Sequence, residues 1–145
     1  MNNFQQTIKE ECTISGHGLH SGAPVTLTIK PATTNHGVKF QRIDLPNQPI
    51  IDANCDYVIP SERSTTLLKD GVKLNTVEHI LSALAGLQID NILITVDNEE
   101  MPILDGSAAL LAIVATALVY SAYRKTRARA LAILAISLGG AAAFE

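Results

Sequence analysis

Tryptophan is absent, and aromatic residues make up only 4% of the 145. A chain so poor in large rings has to build its core from aliphatic side chains, which dominate its 47% of hydrophobic residues. The two cysteines, Cys12 and Cys55, fit no metal-binding or redox spacing and exclude a disulfide scaffold. They read as two buried thiols in a reducing compartment. No basic stripe crosses the first 120 residues and the formal net charge is −3, so nucleic acid is not an expected partner. The N-terminal residues 1–6 lack the positive and apolar segments of a signal peptide. Those absences together make a cytoplasmic location the expectation.

What is present changes along the chain. Residues 1–107 mix charged, polar and aliphatic positions as a globular domain does, whereas residues 108–145 are rich in Ala, Leu and Ile. In the first part, Gln6 to Ile14 alternates loosely and Val25-Thr26-Leu27-Thr28-Ile29-Lys30 alternates cleanly, both as strands do. Further strands are expected at Val38–Arg42, Cys55–Ile59 and Ile92–Val96, with residues 44–54 as loop. Asp70-Gly71 between two short apolar runs is the sequence of a type I′ hairpin turn. Strands first, then helix, strand and helix, give an α+β domain: a two-layer sandwich, mostly antiparallel, with helices on one face of the sheet.

The tail follows different rules. Residues 108–123 and 130–144 carry no charge, and the four cations Arg124, Lys125, Arg127 and Arg129 lie between them. Helix is the expected local state. Each run falls short of the roughly 20 residues that span a bilayer. Three readings stay open: a helix pair with one face in the core and the other exposed, contact with a membrane surface through the basic cluster, and an accidental or truncated end of the sequence; self-association through residues 108–145 is a further expectation. The second would make the location membrane-associated.

The chemistry-bearing stretch is Leu74 to Gly86. Val77, Ile80, Leu81 and Leu84 recur at helical spacing and form one apolar stripe, with Asn75 or Thr76 as the expected N-cap and Gly86 as the stop. Glu78 and His79 then leave the first turn side by side, away from that stripe and next to Ser82 and Ala83. Glu78 is either a capping-box carboxylate reaching back to Asn75 or a general base. His79 is either a surface imidazole or a metal ligand, and one His with one carboxylate is short of the three protein ligands of a catalytic zinc. A second stretch, Ser15-Gly16-His17-Gly18-Leu19-His20-Ser21-Gly22, is no phosphate loop. Its glycines suit a turn or a close backbone approach, with His17 and His20 exposed. Glu99 and Glu100 read as a solvated loop, and Asp105 as the cap of a following helix.

Taken in order, the glycine stretch 15–22, Thr76-Val77-Glu78-His79 with Ala83-Leu84-Ala85-Gly86, Ile89-Asp90-Asn91, and Pro102-Ile103-Leu104-Asp105-Gly106-Ser107-Ala108 form a specific series. The chain resembles the N-terminal domain of the UDP-3-O-acyl-N-acetylglucosamine deacetylase family, the zinc enzymes of lipid A biosynthesis. The resemblance covers roughly residues 5–108. It implies two similar α+β domains with the active site between them, and hydrolysis of the N-acetyl amide of a UDP-acyl-glucosamine. It also implies that Glu78 is the general base and that His79 is one of three protein ligands to Zn²⁺. Leu19, His20, Ser64 and Thr65 fall beside the substrate cleft on the same grounds. The family's other two ligands and its general acid lie in a second domain, and residues 108–145 depart from the family pattern. The expectation is therefore half of an active site, inactive by itself. The alternative is a non-catalytic domain tethered to a membrane or partner through its C-terminal helices.

Overall fold

The computed structural model describes residues 4–103. Their centre is a five-stranded sheet in the order β1-β2-β8-β3-β4, formed by β1 (Cys12–His17), β2 (Pro24–Pro31), β3 (Val38–Arg42), β4 (Ile50–Asp52) and β8 (Ile92–Val96). β8 runs antiparallel to β2 and parallel to β3; the β1–β2 and β3–β4 pairs are antiparallel. Register lines up the apolar positions. Ile14, Leu27 and Val96 stand in one row, and Cys12, Ile29, Ile94, Phe40 and Ile51 in the next. Alternation along each strand sends these side chains to one face, where all but Cys12 are buried.

A second sheet of three short strands, β5 (Val58–Ile59), β6 (Thr66–Lys69) and β7 (Val72–Leu74), follows a single 3-10 turn at Cys55–Tyr57. The β6–β7 turn is the expected hairpin: Asp70 and Gly71 both take positive φ, 50° and 79°, as a type I′ turn requires. Helix α1 (Glu78–Gly86) comes next and lays Val77, Ile80 and Leu84 into the same apolar cluster as Leu27, Phe40, Leu67, Leu74 and Ile94. The expected α+β architecture is therefore the observed one. The helices expected from Ser107 onward, the cap at Asp105 and the tail lie outside the described residues.

Several expectations shift. The first strand begins at Cys12 and runs through Ser15 to His17, because its pairing with Pro24–Ile29 is set by β2 rather than by its own weak alternation. Residues 6–8 are held without a strand: the Gln6 carbonyl accepts from the N–H groups of Asp90 and Asn91, while Ile8 is buried. The stretch 44–54 contains β4, and residues 55–57 form the 3-10 turn where strand was expected. Neither thiol is fully buried; Cys12 is half-buried and Cys55 exposed. Ala83, one helical turn beyond His79, is buried with the core rather than exposed beside it. Gly86 closes α1 as expected, although the left-handed residue beyond it is Gln88, at φ 57°.

Arg42 is buried on the core side of β3 and fastens the two sheets together. Its guanidinium donates to both oxygens of Asp44, at 2.8 and 2.7 Å, and to the carbonyl of Lys73 on β7. That bidentate pair holds the Asp44 carboxyl below the usual carboxylate range.

Candidate active site

The start of α1 is not capped in the expected way. The N-cap position is Val77, with no side-chain hydrogen bond, because Asn75 is committed elsewhere. Its N–H donates to the Glu99 carbonyl, its carbonyl accepts from the Met101 N–H, and its side-chain amide is shared between Thr66 and Glu99. Thr76 sits in the left-handed region at φ 62°, an uncommon place for a β-branched residue, and is buried. The chain thus turns sharply at Thr76 and enters the helix at Val77.

That turn sets where Glu78 and His79 point. Val77, on one side, is fully buried; His79 is exposed and Glu78 half-buried. Glu78 does not reach back to Asn75. Its Oε2 accepts from the Thr65 N–H at 2.8 Å, and the Val77 N–H donates to the Thr65 carbonyl. Thr65 is therefore clasped on both sides by the first turn of the helix. Of the expected cleft residues, the structure brings Thr65 and its neighbour Ser64 to Glu78.

Ser64 also belongs to the wall of an open cleft of about 480 Å³. The cleft is lined by residues 61–64 with Thr66, Lys73, Asn75, His20 and Glu100. Ser61 donates through its hydroxyl to the Ser64 carbonyl, which closes this wall. His20 belongs to this cleft, and its exposed neighbour Leu19 stands at the tip of the β1–β2 turn. His17 is exposed as expected. His20 and His79 have separate surroundings: one faces Glu100, the other stands on the outer face of α1. Among the described residues, no three His, Cys, Asp or Glu side chains gather as a metal would need. The described donors do not make a tetrahedral zinc centre, which takes three or four such ligands.

The residue that sequence reasoning misread is Glu100. Far from solvated, it is 3% exposed, while Glu99 beside it is exposed. Its two oxygens accept from the backbone N–H groups of His20 and Ser21, at 2.8 and 2.9 Å. Thr76 Oγ1 lies 3.4 Å from Oε1 on the opposite side. Burial pushes the Glu100 carboxyl up. The Ser21 hydroxyl, the two N–H groups and the nearby His20 charge outweigh that effect and hold it below the ordinary value of 4.5. One signal of this was available: Met101, Pro102 and Ile103 follow immediately, and a solvated loop rarely leads into such an apolar run.

A half-buried carboxylate and an exposed imidazole thus stand side by side on the first turn of α1, groups able to accept a proton and to donate to a metal. Comparison with known sequences identifies the family. Residues 5–133 match the family model described as UDP-3-O-acyl N-acetylglycosamine deacetylase, which is most of the chain, and the chain belongs to that family. A bifunctional LpxC/FabZ enzyme of Bacteroides thetaiotaomicron is 55% identical over 104 residues, covering 72% of this chain and 23% of the relative. UDP-3-O-acyl-N-acetylglucosamine deacetylases of Psychrobacter and Myxococcus xanthus are 50% and 49% identical over 105 residues. Each alignment takes 72% of this chain and, respectively, 35% and 33% of the relative. The chain spans about a third or less of the length of these curated relatives.

Proposed function

We propose that this chain supplies one side of a zinc-dependent site that hydrolyses the N-acetyl amide of a UDP-3-O-acyl-N-acetylglucosamine in lipid A biosynthesis. The observation that carries this reading is the first turn of α1. Its inner face is fully buried, so Glu78 and His79 are presented outward from a fixed base, with the Glu78 carboxylate held by Thr65. Glu78 accepts the proton of the attacking water. His79 is one donor to Zn²⁺, the remaining donors coming from outside the described residues. Leu19, His20, Ser64 and Thr65 contact the substrate. In this reading residues 1–107 are the deacetylase-like domain and residues 108–145 an apolar tail, the family match itself running on to residue 133.

A carboxylate and one imidazole without further donors bind zinc weakly, so these 145 residues alone are expected to release no substantial acetate from the substrate. Grafting residues 4–103 into the Myxococcus relative in place of its matching segment should give an active enzyme. In that graft Glu78→Gln should lower kcat by roughly 10²–10⁴-fold. Acetate release by the 145-residue chain itself would refute the incomplete site; an active graft indifferent to Glu78→Gln would refute the role of Glu78. A second reading rests on the uncharged runs that flank the four cations of the tail: contact with a membrane, or self-association, through residues 108–145. It expects the chain to need detergent, or to sediment as a multimer, only while those residues are present. Among the described residues, no helix is long and apolar enough to cross a membrane.

A further inference from the structure

Three segments distant in sequence meet at one buried carboxylate. The β1–β2 turn closes on itself, with the Gly18 N–H donating to the Ala23 carbonyl and the Gly22 N–H to the Gly18 carbonyl. Segment 99–103 runs along it, bridging Gly18 at Pro102 and donating from Ile103 to the His17 carbonyl. On its other flank the same segment pairs with Asn75, directly before the turn that starts α1. Glu100 sits between the two, bonded to His20 and Ser21 on one side and touching Thr76 on the other. Gly18 is shaped to this. A Cβ there would lie 2.8 Å from Glu100 Cδ and closer still to Oε2 and to Ser21 Oγ. The glycine is required by close approach.

We infer that Glu100 is a positioning residue: it ties the glycine turn bearing Leu19 and His20 to the Thr76 turn that aims Glu78 and His79. Two features make it more than a surface tie. A buried carboxylate satisfied by two backbone N–H groups fixes their direction, because any rotation of the turn leaves a charge without donors. Thr76, in turn, is held in a conformation that a β-branched residue leaves when released. Loss of the carboxylate therefore frees both ends at once. The turn loses its anchor, and the entry to α1 loses the contact that accompanies its left-handed φ. That the two ends serve one substrate rests on the function proposed above; the mechanical tie does not.

The test is amide hydrogen exchange on the intact 145-residue chain carrying Glu100→Gln, which keeps the shape and loses the charge and one acceptor. Exchange at His20 and Ser21 should quicken by roughly tenfold or more, with a matching rise at Thr65 and Val77, while amides of β8 keep their protection. A purely structural role would speed exchange everywhere in step with global stability. That pattern, or unchanged His20 and Ser21, overturns the inference. If Glu100→Gln does not fold, Ser21→Ala removes a hydroxyl beside the carboxylate that also accepts from the Ala23 N–H, and the inference then expects a milder rise at Thr65 and Val77 as well as within the turn, whereas a rise confined to the turn overturns it. A separate titration with UDP-3-O-acyl-N-acetylglucosamine, followed at the Leu19 methyls, reports on the substrate. Wild-type binding weakened roughly tenfold by Glu100→Gln supports a tie that serves the cleft. Local exchange changes without any wild-type binding leave the tie standing and refute the substrate reading for this chain.

Discussion

The middle of the five-stranded sheet and the seam around Glu100 are held by opposite means. In the sheet, Leu27 faces Val96 and Ile29 faces Ile94 across a regular ladder, and each side chain is buried against others of its kind. Such contacts are non-directional, and what they demand is volume. In the seam, by contrast, a carboxylate, a left-handed threonine and a glycine without room for a methyl group each have one acceptable arrangement. The first region supplies stability. The second supplies direction, and direction is what a site needs. The two regions should therefore fail differently.

Phe40→Ala is the sharpest probe of the first. Phe40 is fully buried in the row of Ile29, Ile94 and Ile51, and its truncation should cost about 3–5 kcal/mol, read as a lower urea midpoint. Gly18→Ala probes the second. Its methyl group meets a bonded, buried carboxylate that cannot swing away without abandoning His20 and Ser21, so it should cost about 1–3 kcal/mol. The signature matters more than the size. Phe40→Ala should loosen all protected amides together, and Gly18→Ala chiefly those of the glycine turn. A Gly18→Ala chain that matches the wild type in both midpoint and exchange would break the comparison.

This contrast also explains what could be read in advance. Val25–Lys30 and Ile92–Val96 were legible because a strand with a buried face writes its period into the residues themselves. The same holds for the Asp70-Gly71 turn and for the stripe of Val77, Ile80 and Leu84. The seam has no period. Glu100 is a core residue only because Gly18 and Thr76, 82 and 24 positions earlier, come to it, and the sole local mark of that is the apolar run Met101-Pro102-Ile103 that follows. The expected Asn75 or Thr76 cap failed for the same reason: long-range pairing with Glu99 and Met101 took the groups a local cap would have used.

Acid should separate the regions by where its effect begins. Glu100 has a folded-state value below its ordinary 4.5, and Asp44, bound by Arg42, one below its ordinary 3.8. Each depressed carboxyl contributes stability that is fully present above the unfolded value and is lost as pH falls through the folded one. The loss from Glu100 therefore sets in near pH 4.5, and that from Asp44 nearer 3.8. Urea midpoints taken from pH 6 downward should fall less steeply below pH 4.5 for Glu100→Gln, and below 3.8 for Asp44→Asn. An unchanged acid limb in Glu100→Gln would mean that the carboxylate is not held as its bonds to His20 and Ser21 require.

The smallest effect on stability is expected where the functional effect should be largest. His79 is exposed on the outer face of α1, and no hydrogen bond of its ring is seen among the described residues. Removing it touches neither the core nor the seam, so His79→Ala should shift stability by no more than about 0.5 kcal/mol. Ile80, the next residue, is 1% exposed, and Ile80→Ala should cost about 2–5 kcal/mol. Adjacent positions on one helical turn thus serve different ends. In the graft with the Myxococcus relative, His79→Ala should abolish most acetate release while leaving the urea midpoint in place. A His79→Ala graft that keeps both its fold and its activity would show that this face of α1 is ordinary surface, and the case for a ligand at residue 79 would fall.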